Sequence, residues 1–139
     1  MNGMPSSQAQ PAEKPHCVGV LIVEDDREIR HTLRDLLREE GYQVEEAANG
    51  REALALLKRF RLAGERLPCM ILLDLMMPVM DGWQFREAQV QDPELTGIPV
   101  VVLSADGNAR QKALAMQAGA GLSKPVRLET LLSTVATYC

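Results

Sequence analysis

From Val18 onward the chain alternates short, wholly apolar runs with stretches in which apolar residues recur every three or four positions. The first run, Val18-Gly-Val-Leu-Ile-Val23, has no polar position, the pattern of a strand buried on both faces. Ile29, Leu33, Leu36 and Leu37 follow at i, i+4, i+7 and i+8, which predicts an amphipathic helix that Gly41 ends. Gln43-Val-Glu-Glu-Ala47 alternates and reads as an edge strand with one polar side. Asn49 is placed to cap a helix bearing Ala53, Leu54, Leu57 and Phe60. A polar stretch, Arg61 to Pro68, leads into a central strand, Met70-Ile-Leu-Leu73, with Asp74 at its carboxyl end. Met77-Pro78 and Asp81-Gly82 are turn pairs before a helix from Trp83 to Gln91. Next come a strand, Pro99-Val-Val-Val-Leu103, closed by Ser104, and an alanine-rich helix over 108–118. A short strand, Leu122-Ser123, precedes Lys124-Pro125 and a last helix carrying Leu128, Leu131, Leu132 and Val135. Strict alternation of five strands and five helices predicts an α/β fold with a parallel sheet.

Residues 1–15 break the pattern. They are rich in Ser, Gln, Ala and Pro without periodicity and read as a disordered tail before a single folded domain over 16–139. With 46% hydrophobic and 24% charged residues, that domain has the make-up of an ordinary globular protein. A net charge of −4 argues against binding DNA or RNA through phosphate neutralisation. No stretch approaches the ~20 apolar residues of a membrane span, and no signal-peptide pattern stands at the start. The expected location is therefore the cytoplasm. Three cysteines, Cys17, Cys69 and Cys139, lack framework spacing and read as free thiols.

The chemistry gathers at strand ends. Glu24-Asp25-Asp26, Asp74 and Ser104 each follow an apolar run directly, and Lys124 follows the last short strand. In an open parallel sheet these ends share one edge, where ligands bind. Several carboxylates brought together there repel, and one would take up a proton unless a cation intervened. Mg²⁺ suits such a site, since it prefers a few carboxylates, waters and substrate phosphate. Asp74 could then act as a nucleophile toward phosphorus, with Lys124 and Ser104 stabilising the equatorial oxygens. Taken singly, each has a plainer reading: the acids as favourable charges at a helix start, Asp74 as a turn cap, Ser104 and Lys124 as ordinary strand-end groups. Their joint placement favours the chemical one.

These motifs closely resemble the response-regulator receiver family of two-component signalling, including its stand-alone, chemotaxis-type regulators. The resemblance rests on Leu21-Ile-Val-Glu-Asp-Asp26, Leu72-Leu-Asp-Leu-Met-Met-Pro78 with Met80-Asp-Gly82, Val102-Leu-Ser-Ala105 and Ser123-Lys-Pro125. It runs from about Cys17 to the C-terminus and makes 16–139 a receiver domain. It implies a flavodoxin-like five-stranded sheet of order 2-1-3-4-5, with five helices in a three-layer sandwich. Glu24 and Asp25 become the acidic pair, Asp25 ligating Mg²⁺ directly beside Asp74 and the Met76 backbone carbonyl. Asp74 becomes the phosphoacceptor, Ser104 the hydroxyl switch, the Ala105 amide a phosphoryl contact and Lys124 its paired base, with a cis Lys124-Pro125 bond. The implied partners are a histidine kinase or histidine phosphotransfer protein and an unidentified downstream protein, with no direct DNA binding and no membrane. A monomer or weak dimer is expected, catalysing only its own phosphotransfer and dephosphorylation.

Two departures qualify this. Family members usually carry Tyr or Phe three residues before the lysine, where Gly121 stands here, and the preceding loop looks about two residues short. No output domain follows in the sequence. Met76 and Asp106, two residues beyond Asp74 and Ser104, flank the expected acyl phosphate; an apolar Met76 shields it from water and predicts a long-lived one, whereas Asp106 could help orient a water. The alternative is a receiver-like interaction module acting without phosphorylation. A haloacid-dehalogenase-type phosphohydrolase is disfavoured because Met76 stands where its second Asp is needed. A dinucleotide-binding enzyme lacks its glycine fingerprint after the first strand. A redox switch between Cys17 and Cys69, which begin strands expected to be neighbours, is weaker than buried structural thiols.

Overall fold

The computed structural model describes residues 19–139; the proposed 1–15 tail and Cys17 lie outside them. Strands and helices alternate throughout: β1 Val20–Val23, α1 Arg27–Glu39, β2 Val44–Ala47, α2 Gly50–Leu62, β3 Met70–Asp74, α3 Gly82–Val90, β4 Val100–Ser104, α4 Ala109–Ala115, β5 Ala120–Ser123 and α5 Leu128–Tyr138. All pairings are parallel and the strand order is β2-β1-β3-β4-β5, the flavodoxin-like arrangement expected.

Successive side chains of a strand point to opposite faces, so an apolar run must be covered on both sides. Leu21, Val23, Ile71, Leu73, Val100 and Val102 pack with Leu57, Phe85 and Met116 under α2, α3 and the end of α4. Val20, Ile22, Met70, Leu72, Val101 and Leu103 pack with Leu33, Leu37, Leu131 and Val135 under α1 and α5. The helix starts follow the capping residues. Asp26 and Asn49 accept from the amides of Ile29 and Glu52, and Asp81 forms a capping box with Gln84. No helix among the described residues is long and apolar enough to cross a membrane.

The structure corrects three expectations. α4 stops at Ala115 instead of Ala118, because Gln117 turns to φ 57°, a left-handed conformation that no helix continues through. β5 begins at Ala120, two residues early, since pairing of Ala120 and Gly121 with Val101 and Val102 overrides their poor strand preference. Cys69 is not a free thiol but is disulfide-bonded to Cys139, with Cα atoms 5.6 Å apart. The two stand 70 residues apart in the chain and meet because α5 packs back beside the start of β3.

Candidate functional site

The sheet register builds the site. Val23 lies beside Leu73, so Glu24, next in the chain, follows β1 next to Asp74 at the end of β3. Ser104 ends β4 opposite Ser123, and the Lys124 amide donates to the Ser104 carbonyl at 2.8 Å. Glu24, Asp25, Asp74, Ser104, Ala105 and Lys124, remote in sequence, thus line one cleft of about 310 Å³ at the carboxyl edge of the sheet. The Lys124-Pro125 peptide bond is cis.

Backbone packing beneath the cleft fixes Asp74. Gly82, at the start of α3, donates its amide to the Leu75 carbonyl at 3.0 Å. A β-carbon at Gly82 would meet the Asp74 carbonyl oxygen at 2.5 Å and the Leu75 α-carbon at 2.8 Å. Only glycine lets α3 start so close behind Asp74. On the other side, Arg30 donates to the Glu24 carbonyl at 2.8 Å and pairs with Glu46 at 3.0 Å, holding the end of β1.

Charge is out of balance at the cleft's centre. Carboxylate oxygens of Glu24, Asp25 and Asp74 lie within 4.8 Å of one another. Lys124 Nζ is the single ammonium between two of them, 3.2 Å from Asp74 Oδ1 and 2.6 Å from Glu24 Oε1. The Glu24 contact is an ion pair without hydrogen-bond alignment, leaving a buried carboxylate oxygen without a hydrogen-bond partner. Burial, reinforced by the charge of Asp74, pushes the Glu24 carboxyl up to about 7 despite Lys124 and the Asp26 amide. For Lys124, burial works against the ammonium, but Glu24 and Asp74 outweigh it and hold its pKa above the ordinary value. Three carboxylates, one ammonium and an under-coordinated oxygen fit a hard divalent cation. Asp26 is spent elsewhere: its Oδ1 caps α1 through the Ile29 amide at 3.0 Å.

The raised Glu24 pKa has a testable sign. Its folded value of about 7 exceeds the ordinary 4.5. The proton it takes up in the folded state stabilises the metal-free chain fully below the unfolded pKa, and this contribution is lost as pH rises through 7. A divalent cation held there would need the ionised carboxylates, so it would compensate most where that loss is complete. Mg²⁺ at about tenfold its Kd is expected to raise the thermal midpoint by roughly 5 °C. The gain should appear near pH ~8 and shrink near pH ~5.5. An equal gain at both pH values would show that Glu24 does not titrate with binding.

Ser104 is buried, and its hydroxyl donates to Asp106 Oδ1 at 2.7 Å. Met76 lines the cleft and is 77% exposed. Two features had no signal in the sequence. Lys112 of α4 also lines the cleft and is paired with Asp106. At Gly121, the position of the missing aromatic, a β-carbon would land on the carbonyl of Ala109, so α4 itself occupies the space.

Comparison with known proteins places the chain among relatives of the same fold. The sequence profile of the response regulator receiver domain matches residues 20–136. The chain is 40% identical over 119 residues to the response regulator MprA of Mycolicibacterium vanbaalenii, covering 84% of this chain. It spans only 48% of that longer protein. Protein PilH of Pseudomonas aeruginosa is 33% identical over 118 residues, with 84% of this chain and 93% of PilH covered. Among solved structures, the chemotaxis protein CheY4 of Vibrio cholerae superimposes with a TM-score of 0.76 at 33% identity, over 88% of this chain and 99% of that one.

Proposed function

Because the chain belongs to the response regulator receiver domain family, whose members take a phosphoryl group on an aspartate, we propose that Asp74 is the acceptor here. One observation carries the assignment: a buried carboxylate at the end of β3 that shares its cleft with Lys124 at 3.2 Å and with both acids of β1's end. In the step, an Asp74 oxygen attacks phosphorus in line and the bond from phosphorus to the donor breaks. With a phosphohistidine donor that is a P–N bond; the imidazole keeps the electron pair and takes up a proton, leaving an acyl phosphate on Asp74.

Glu24, Asp25, Asp74 and the Met76 carbonyl would hold Mg²⁺. When bound, the ion supplies positive charge between these carboxylates and the incoming phosphoryl oxygens. Lys124 is already poised against Asp74 and is the group to pair with a phosphoryl oxygen; Ser104 and the Ala105 amide are the further donors. The chain so read is no classical enzyme and catalyses only its own phosphotransfer and dephosphorylation. A histidine kinase or phosphotransfer protein is the donor, and a downstream protein reads the result. The location that goes with this reading is the cytoplasm.

The test is incubation with acetyl phosphate and Mg²⁺, read as intact mass. One phosphate should add in the presence of the metal and none in its absence; an adduct indifferent to Mg²⁺ would sink the metal assignment. Lifetime gives a second measurement. Met76, beside the acyl phosphate, is apolar and cannot direct a water to it. An amide at position 76 adds a group able to hold one. Met76→Asn is therefore expected to speed loss of the phosphate by roughly two- to tenfold, the worth of one hydrogen bond. An unchanged decay rate would assign the lifetime to other groups.

A further inference from the structure

Asp106 has no part in the chemistry above, yet it stands in the same cleft and holds two of its donors. Its Oδ1 accepts from the Ser104 hydroxyl at 2.7 Å and from the Asn108 amide at 3.1 Å. Its Oδ2 pairs with Lys112 Nζ. Lys112, then Ser104 and the Asn108 amide, hold the Asp106 carboxyl well below the usual carboxylate range, so it is a full anion at neutral pH. A hydroxyl has a single proton to donate. Ser104 therefore cannot serve Asp106 and a phosphoryl oxygen on Asp74 at the same time.

Lys112 links this anion to a helix. α4 is tied at its far end by Arg86 of α3, which donates to the carbonyls of Met116 and Gln117 at 3.0 and 2.7 Å. Nearer its start the Ala109 backbone packs close against Gly121 of β5. Between these, the pairing of Lys112 with Asp106 is α4's one ion pair among the described residues. The side chains are 26% and 53% exposed, and a pair so open to water is weak. A phosphoryl group carrying a charge of about −2 competes well against a single carboxylate for both donors.

We propose that Asp106 holds the place of the phosphoryl group in the resting chain, and that, as the family's switch draws Ser104 to phosphorylated Asp74, Lys112 also passes from Asp106 to the new phosphoryl oxygens and carries α4 with it. The inference rests on Asp74 being the acceptor. Asp106 is a positioning residue, since it fixes where the Ser104 hydroxyl points and touches no reacting atom. Lys112 becomes a second ammonium for the phosphoryl group, and α4 takes over the report that the absent aromatic cannot make.

The experiment compares backbone amide spectra of α4 in wild type, Asp106→Ala, Lys112→Met and Lys112→Arg, each before and after treatment with acetyl phosphate and Mg²⁺. Intact mass counts the phosphate independently. Unphosphorylated Asp106→Ala and Lys112→Met should both displace the amides of 109–115 along the direction phosphorylation produces in wild type. Lys112→Arg keeps the pair and should stay at the wild-type positions. Asp106→Ala should also take up phosphate about two- to fivefold faster, the worth of one exposed charged contact, because Ser104 is already released. Unphosphorylated Ala and Met variants with wild-type α4 spectra would overturn the exchange, as would displacement in unrelated directions. A phosphate adduct on wild type with unmoved α4 amides would overturn the exchange and leave the acceptor reading intact. Absence of any adduct on wild type would overturn the acceptor reading itself.

Discussion

Asp74→Asn is expected to abolish the phosphate adduct formed from acetyl phosphate and Mg²⁺. The change is nearly isosteric at a buried position at the end of β3, so packing is preserved. The amide has no anionic oxygen to attack phosphorus, and no other carboxylate in the cleft is placed alike. Asp25 is exposed, and Glu24 is engaged by Lys124 and the Asp26 amide. Loss of chemistry can be separated from loss of fold. Asp74 raises the Glu24 pKa by charge repulsion, so the variant relieves a strain in the metal-free chain. Its thermal midpoint in the absence of metal should equal or exceed that of wild type. A folded Asp74→Asn chain that still gains a phosphate would move the acceptor to another side chain, Asp25 first. A wild-type chain that gains none under conditions where Mg²⁺ raises its midpoint would favour an interaction module that binds cation without phosphotransfer.

Much of this site could be read before any coordinates, and the reason is geometric. Glu24, Asp74 and Ser104 each directly follow or close an apolar run, and a parallel sheet brings all such ends to one edge. Asp81 and Asn49 announced helix starts by residue type, and the coordinates show both side chains capping. What stayed hidden depends on through-space contact. Lys112 sits in a short alanine-rich helix and reads as a solvated lysine until α4 is docked on β5. The sequence shows that Gly121 lacks a side chain, but not that the Ala109 carbonyl fills the space. Gly82 is similar: its turn-forming role was legible, its approach to the back of Asp74 was not. The Cys69–Cys139 bond spans 70 residues with no spacing rule to suggest it.

Gly121 supplies the second large effect, because two pictures of it give opposite results. If the missing aromatic left a vacant slot, Gly121→Tyr would fill it and stabilise the chain, and Gly121→Ala would be nearly neutral. In this structure the obstruction begins at the β-carbon, which lands on backbone atoms of Ala109 and Arg110 that cannot rotate away. Both variants are thus expected to destabilise by about 1–3 kcal/mol, the usual cost of forcing extra volume into packed structure. That lowers the thermal midpoint by roughly 3–10 °C. Gly119→Ala is the control. There the β-carbon would meet the Tyr138 hydroxyl at 2.5 Å, the free end of a side chain, and a small rotation relieves it. A Gly121→Tyr chain melting at or above wild type would show that α4 yields the space easily. Destabilisation by Ala as large as that by Tyr would place the cost at the α4 backbone. In this chain the ground that a mobile ring would occupy is then already held by the helix, and a signal from Asp74 has to move α4 itself.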